Sequence, residues 1–369
     1  MKVSNKLINK KKSSFMSIIV LILAIIFFAV GCSSSNNEES MAENPFDIKS
    51  ATVIVNKYMN DLMKNDMENA KKIYSNKLLK KSNYIQNTNL LIKGYNVEEV
   101  SELGNEGIFK ISVTRSDFTK AYAGLDEYKI TIIKEGIDYK IDEIESSPVK
   151  EAKLEDKGIR LKSKTNVKSY LIIDDAGLPV YAFSKDDKSN VEKISVPRDN
   201  YGILAFSYMG DSIAISTFDK NSYVGLVQID ESLESQTTGD STGSKQATGG
   251  SSTPAKEAPI GKEIISLDII KDSKIEFMTF SLDEKFVAVQ YNKTGKGKCL
   301  RLYKTSSGEL ISYNFEEKFP VNYVEITFSS FDKDVINFTV SQKANAPETA
   351  SEYVGKWQLN LKDFTAKKI

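Results

Sequence analysis

Residues 206–215 read Phe-Ser-Tyr-Met-Gly-Asp-Ser-Ile-Ala-Ile, and residues 280–289 read Phe-Ser-Leu-Asp-Glu-Lys-Phe-Val-Ala-Val. Residues 328–338, Phe-Ser-Ser-Phe-Asp-Lys-Asp-Val-Ile-Asn-Phe, give a third copy of the pattern. Each copy consists of Phe-Ser, a turn that contains acidic residues, and an apolar strand. An internal repeat of this kind predicts that the second part of the chain is built from similar antiparallel units.

The spacing of the copies is that of propeller blades. Phe280 and Phe328 are 48 residues apart, and Phe206 and Phe280 are 74 apart, or 43 without the low-complexity insert at 231–261. Four-stranded units of roughly 40–50 residues are typical of β-propellers. The hairpin at 280–310 resembles a WD40- or TolB-type blade, although the diagnostic dipeptides of those families are absent.

We therefore expect residues 150–369 to form an all-β domain, a small or partial β-propeller. A β-sandwich with the same strands is the alternative. Residues 159–198 are expected to supply a further blade. The insert at 231–261 is rich in Ser, Thr and Gly and has no aromatic residue, which predicts a disordered loop.

The region 45–148 has a different pattern. Apolar residues recur at helical spacing over 48–62 and again over 67–78, and Asp66 is placed to cap the second helix. Strands are predicted where apolar and polar residues alternate: 95–100, 109–113, 128–132 and 137–141. Helices followed by an antiparallel meander predict an α+β domain.

The sequence from Val55 to Ala70, followed by strands, resembles the NTF2-like fold, in particular the versions found in secreted proteins and lipoproteins of Gram-positive bacteria. The resemblance implies a curved sheet that can enclose a pocket. Enzymatic members, such as ketosteroid isomerase, use Asp, His or Tyr inside that pocket. Here we expect no aspartate alone on an apolar strand face. Tyr128 and Tyr139 are placed to line a pocket, but buried tyrosine is more often part of the core.

Residues 1–31 predict export. Five lysines and no acidic residue precede an apolar run that is short for a membrane span. The run ends in Ala-Val-Gly-Cys at 29–32, which resembles the lipobox of bacterial lipoproteins. The resemblance implies cleavage between Gly31 and Cys32 and lipid attachment to the Cys32 sulfur. We therefore expect a flexible tether at 32–44 and a protein anchored by lipid to the extracytoplasmic face of the cell membrane.

Composition excludes several kinds of chemistry. The 369 residues include 50 basic and 50 acidic side chains and no histidine, which excludes Ser-His-Asp and Cys-His catalysis as usually built, and His-ligated metals. Without residues 1–31 the chain is net acidic, which argues against nucleic acid as a partner. Cys299 lies in a strand-like run, where we expect a packed side chain and not a nucleophile. We expect neither a cofactor nor a metal.

These observations favour a non-enzymatic binding or scaffold lipoprotein that presents loops to a protein, peptide or envelope partner. One alternative is a hydrolase or isomerase that uses carboxylates and tyrosines, with two acids of raised pKa in one cavity. A second alternative is an accessory subunit of an envelope or spore-associated complex.

Overall fold

Antiparallel strands dominate the computed structural model, which describes residues 46–81, 89–233 and 257–369. The helices within these ranges are α1 (Ile48–Met63), α2 (Met67–Lys71), α3 (Asn76–Lys81) and α4 (Phe315–Lys318). The first eight strands are β1 (Leu90–Leu103), β2 (Glu106–Asp117), β3 (Tyr122–Glu135), β4 (Asp138–Glu155), β5 (Gly158–Ser163), β6 (Tyr170–Asp174), β7 (Tyr181–Ala182) and β8 (Ile194–Ser195). The remaining strands are β9 (Tyr201–Phe206), β10 (Ser212–Phe218), β11 (Ser222–Ile229), β12 (Gly261–Ile270), β13 (Ser273–Phe280), β14 (Phe286–Lys293), β15 (Gly297–Lys304), β16 (Val324–Asp332), β17 (Val335–Gln342), β18 (Gly355–Asn360) and β19 (Ala366–Lys368).

Helix α1 is amphipathic, and its apolar side is buried. Asp47 caps the helix, because its carboxylate accepts backbone N–H bonds from the first turn. Val55 and Met59 are fully buried in a core shared with the first sheet. Asp66 caps α2 by accepting the backbone N–H of Asn69 at 3.1 Å, which confirms the predicted cap.

Strands β1 to β6 form one antiparallel sheet in chain order. Register shifts interrupt the pairing of β1 with β2 and of β3 with β4. Such bulges bend and twist a strand, and the sheet is curled. Strand β4 runs unbroken from Asp138 to Glu155, so residues 148–150, where the sequence predicted a domain boundary, lie inside one strand.

The two faces of this sheet bury different side chains. On β2, Phe109 and Ile111 pack with α1 in one core, whereas Thr114 and Ser116 are buried on the opposite face. The hydroxyl of Ser116 donates to the backbone carbonyl of Leu204, in β9, at 2.6 Å. The second face of the sheet therefore packs against the strands that follow it, and residues 46–369 form one unit.

Three further antiparallel sheets follow. One has the order β12-β11-β10-β9, the next β13-β14-β15, and the last β16-β17-β18-β19. An isolated antiparallel bridge joins Tyr303, in the edge strand β15 of the β13-β14-β15 sheet, to Leu310. Strands β7 and β8 form a separate pair. The repeated antiparallel sheets predicted from the sequence are therefore present.

The first two Phe-Ser copies form the same turn. Ser207 donates to Asp211 at 3.0 Å, and Ser281 donates to Asp283 at 2.8 Å. Each serine oxygen also accepts a backbone N–H at the start of the next strand. The shared residues therefore encode a shared geometry, in which the hydroxyl bridges the two ends of the turn.

The third copy has the predicted order of acidic turn and apolar strand, but its turn lies further from the Phe-Ser pair than in the first two copies. Strand β16 continues through Phe328 to Asp332, with a register shift after Phe328, and the turn follows at 333–334. Phe331 is buried, and the Ser329 hydroxyl pairs with that of Thr339 across the strands at 3.1 Å. These contacts hold 328–332 in the sheet, and the predicted acidic turn lies at 333–334, directly before the apolar strand β17.

The expectation that residues 159–198 form a further blade is wrong. Strands β5 and β6 extend the first sheet, and only the two-residue strands β7 and β8 follow them. Gly158 begins β5 and pairs with Asp174 at the end of β6. The short connections after β4 therefore continue the meander of the first sheet and do not start a new one.

Several predictions concern residues outside the described ranges. The signal segment 1–31, the cleavage site at Gly31 and Cys32, the tether at 32–44 and most of the insert at 231–261 lie there. Among the described residues, none of the helices has the length and apolar character needed to cross a membrane.

Candidate active site

Four charged or polar side chains lie on one face of strands β2, β3 and β4, in two contacting pairs. They are Arg115, Tyr122, Asp126 and Glu151, which we call the carboxylate–tyrosine cluster. Arg115 pairs with Gly124 in the register of β2 and β3, and Gly124 pairs with Glu151 in that of β3 and β4. Gly124 therefore lies between Arg115 and Glu151 across the sheet. Because glycine has no side chain, no side chain on β3 separates these two residues.

Arg115 and Asp126 form the inner part of the cluster. Nη2 of Arg115 donates to Oδ1 of Asp126 at 2.7 Å, and Nε lies 2.6 Å from Oδ2. The Asp126 side chain is 6% exposed and that of Arg115 24%. Burial raises the pKa of Asp126 above its usual value, while the charge of Arg115 opposes this rise. The negative charge of Glu151 raises the pKa of Asp126 further, so the two carboxylates interact electrostatically.

Tyr122 and Glu151 form the outer part. The Tyr122 hydroxyl donates to Oε1 of Glu151 at 2.7 Å, and both residues are partly exposed. Burial and the bond to Glu151 raise the pKa of Tyr122, and Arg115 works in the opposite direction. The phenol therefore keeps its proton at neutral pH and serves as a donor.

This arrangement contains the groups needed for acid–base chemistry. A partly exposed carboxylate accepts protons, a phenol donates one, and a guanidinium stabilises negative charge on an oxygen. Asp126 contacts the guanidinium at two nitrogens, which fixes its orientation.

Asp126 was not predicted as a site residue. We expected no aspartate on an apolar strand face, yet Asp126 lies on the same face of β3 as Tyr128, Ile130 and Ile132, which are buried beneath α1. The alternation at 128–132 was recognised, and two more residues toward the N-terminus would have reached Asp126.

Tyr128 and Tyr139 pack with the core, which the sequence favoured over a position at a pocket. Tyr128 is buried in the cluster beneath α1. The Tyr139 hydroxyl accepts the backbone N–H of Asp47 at 2.6 Å, and its ring meets that of Phe46 edge-on at 5.2 Å. Tyr139 thus fixes the start of α1.

Cys299 is packed, as predicted. Its side chain is fully buried in β15, and burial raises the pKa of its thiol to about 11. A thiol with such a pKa is a poor nucleophile at neutral pH. Within 46–81, 89–233 and 257–369, no group of three or more acidic or cysteine side chains is arranged to hold a metal ion.

Parts of several solved peptidase and hydrolase structures align with the chain. One structure, from a structural and mechanistic analysis of two prolyl endopeptidases, aligns with 87% of this chain and 38% of its own, at 8% identity and a TM-score of 0.25. A putative dipeptidyl aminopeptidase IV from Bacteroides ovatus aligns with 74% of this chain and 44% of its own, at 11% identity and a TM-score of 0.26. A puromycin hydrolase aligns with 74% of this chain and 53% of its own, at 9% identity and a TM-score of 0.23.

The chain spans about half or less of the length of these structures. No family model matches the sequence, and no curated protein matches it. The prediction of a non-enzymatic binding or scaffold protein is contradicted, and the findings agree better with its hydrolase alternative. Alignments with TM-scores of 0.23 to 0.26 carry no activity over to this chain. The hydrolase alternative replaces that prediction, and the activity proposed below rests on the side chains of this chain.

Proposed function

We propose that the protein is a hydrolase that cleaves an acyl bond, an ester or amide, by direct attack of water at the carboxylate–tyrosine cluster. One observation carries the proposal: the Tyr122 phenol donates to Glu151 at 2.7 Å beside the Arg115–Asp126 pair. A proton acceptor, a proton donor and a fixed positive charge then face one place on the sheet.

The reaction follows from the roles of these groups. Glu151 accepts a proton from water as the water oxygen bonds to the acyl carbon, and Arg115 stabilises the oxyanion that forms. Tyr122 gives its proton to the leaving group as the acyl bond breaks. The proton on Glu151 returns to Tyr122 through their hydrogen bond. Water is consumed, an acid and an alcohol or amine are released, and both side chains recover their starting states.

Asp126 is a positioning residue in this scheme. Its contacts with Arg115 hold the guanidinium at one orientation. Because Asp126 is buried and paired, it has no free oxygen placed to activate water. Glu151, which is partly exposed, therefore takes the role of the base.

We also propose the finer assignment of the fold. Helices α1 to α3 packed on a curled antiparallel sheet support an NTF2-like region at 45–148. Three successive antiparallel meanders support a partial β-propeller within 150–369. The carboxylate–tyrosine cluster would then lie on the face of the NTF2-like sheet that carries the helices, since Asp126 shares that face with Ile130.

The cellular location is proposed from the motif at 29–32. Lipid attachment to Cys32, after cleavage behind Gly31, would place the enzyme on the extracytoplasmic face of the cell membrane. Membrane fractionation of wild type and Cys32→Ala tests this proposal. We expect wild type in the membrane fraction at processed length. A Cys32→Ala variant that remains membrane-bound and has the same length as wild type would contradict it.

The proposed activity is tested with the full chain in detergent. The substrates are p-nitrophenyl acetate and a series of aminoacyl p-nitroanilides, and a single turnover is run in H2¹⁸O. Direct attack predicts hydrolysis above the buffer rate, with one ¹⁸O in the released acid and none in the protein. Label in a protein carboxylate, or rates equal to buffer for both substrate classes, would overturn the proposal.

A further inference from the structure

A cleft of about 800 Å³ lies between the first sheet and the strands of the later sheets. Met63 at the end of α1 and Lys93 on β1 line one side, and residues of β13, β14 and β16 line the other. None of the four residues of the carboxylate–tyrosine cluster lines it. We call this space the lysine cleft, and its volume falls in the range of small-molecule sites.

The lining carries an excess of positive charge. Four lysines, Lys93, Lys220, Lys274 and Lys298, face two acidic residues, Asp219 and Glu276. Lys298 and Glu276 are 4.0 Å apart, and Lys220 pairs outside the cleft with Asp272 at 3.2 Å. The whole chain has equal numbers of basic and acidic residues, so this local excess is a property of the cleft.

Lys93 and Lys298 are the two half-buried lysines of this set, whereas Lys220 and Lys274 are exposed. The Nζ of Lys93 lies 5.1 Å from the centroid of the Phe277 ring. Burial lowers the pKa of Lys93, and Glu276 opposes this in part. In the described ranges no carboxylate forms an ion pair with Lys93. A half-buried ammonium in this setting is stabilised by an anion that enters the cleft.

Aromatic rings stand beside the charges. Phe277 and Phe328 meet edge-on at 5.4 Å between centroids, and Phe118 is 47% exposed at the rim. An apolar wall beside a cationic group recognises a ligand that has both an apolar and an anionic part.

We propose that the lysine cleft binds a small organic anion with an aromatic or apolar portion, its anionic group at Lys93 and Lys298 and its apolar portion against Phe277 and Phe328. This site is separate from the proposed hydrolytic cluster, and either proposal can fail without the other.

The test is calorimetric titration of the full chain in detergent with naphthalene-2-sulfonate, 2-naphthalenemethanol and sodium sulfate. We expect saturable binding of the naphthalene sulfonate, at least tenfold tighter than that of the neutral alcohol or of sulfate. Equal affinity for the sulfonate and the alcohol would overturn the anionic part of the proposal. Equal affinity for the sulfonate and sulfate would overturn the apolar part.

Variants locate the site. Lys93→Met keeps the apolar stem and is expected to weaken naphthalene-2-sulfonate binding at least tenfold, and Lys93→Arg is expected to restore most of it. Lys298→Met should also weaken binding, and it provides the test if Lys93→Met fails to fold by circular dichroism. Lys188→Met is the matched control, since Lys188 is 87% exposed and does not line the cleft. Wild-type affinity in both Lys93→Met and Lys298→Met would overturn the proposal.

Discussion

Arg301 and Asp268 form an ion pair whose two side chains are both buried, with Nη1 and Oδ2 2.7 Å apart and exposures of 3% and 0%. The other terminal nitrogen of Arg301 lies 2.7 Å from Glu316, and the Tyr303 hydroxyl donates to Asp268 at 2.6 Å. Buried charges of this kind persist only when they are paired. The cluster therefore ties α4 to strands of two different sheets.

Replacing Arg301 by Met should destabilise the protein strongly. The methionine fills part of the space, but Asp268 loses its counter-charge and Glu316 keeps only Lys293 and Lys296, which costs about 3–5 kcal/mol. The free energy of unfolding in urea, followed by the fluorescence of Trp357, measures the loss. Lys57→Met is the control, because its pair with Asp61 lies on the surface of α1 and is worth about 0.5 kcal/mol. Equal losses in the two variants would contradict this account.

Glu316 makes the same cluster sensitive to acid. Burial alone would raise its pKa, but the charge of Arg301 and hydrogen bonds from Tyr291 and Arg301 outweigh burial and lower the pKa of Glu316 to about 2. Because the folded value is depressed below the usual 4.5, the stabilisation is present above about pH 4.5 and is lost as the pH falls toward 2.

In Glu316→Gln, the free energy of unfolding should therefore fall less steeply than in wild type as the pH decreases below about 4.5. The difference between wild type and variant at neutral pH is on the order of 3 kcal/mol and should shrink steadily below about pH 4.5. Urea unfolding at a series of pH values measures it. A difference that is constant from neutral pH to pH 3 would show that Glu316 titrates normally in the folded state.

Gly94 lies where the first sheet meets the later strands, and a larger residue there should be poorly tolerated. A Cβ at this position would come within 2.5 Å of the Tyr208 hydroxyl and 2.6 Å of the Thr279 hydroxyl. Gly94→Ala should cost about 1–3 kcal/mol because the packed neighbours must move. Gly124→Ala is the matched strand control, since its Cβ would find its nearest atom at 3.4 Å. A smaller loss for Gly94→Ala than for Gly124→Ala in thermal unfolding would contradict the close packing at this junction.

Tyr122 should matter most for substrates with poor leaving groups. Tyr122→Phe removes the proton donor and keeps the ring, so hydrolysis of an anilide, whose leaving amine needs a proton, should fall by roughly 100-fold. Hydrolysis of a p-nitrophenyl ester, whose leaving group departs as an anion, should change by less than about threefold. Steady-state kcat values for the two substrates measure this split, and equal loss on both would exclude Tyr122 as the general acid.

Local patterns of the sequence predicted much of the fold. The helical spacing of 48–62 and the cap at Asp66 are properties of neighbouring residues, and both appear in the structure. The first two Phe-Ser turns were predictable for the same reason. The acidic turn of the third copy was predictable too, whereas its delay after Phe328 was not, because it depends on the burial of Phe331 against distant residues.

The candidate site depends on pairing between strands, which a single sequence does not reveal. Arg115 and Glu151 are 36 residues apart, and they meet only because each pairs with Gly124 in the register of the sheet. A shift of one residue would turn Glu151 to the other face. Asp126 alone was open to prediction, through the alternation that it shares with Tyr128 and Ile130.

The most direct measurement is kcat/KM of Glu151→Gln for the best acyl substrate of the wild type. The amide keeps a hydrogen bond to Tyr122 but cannot accept a proton from water, so we expect a loss of 100-fold or more. Glu145→Gln, on the same strand with a side chain 58% exposed, should keep the wild-type value. Unchanged kcat/KM in a folded Glu151→Gln variant would contradict the proposal that the carboxylate–tyrosine cluster is the hydrolytic site.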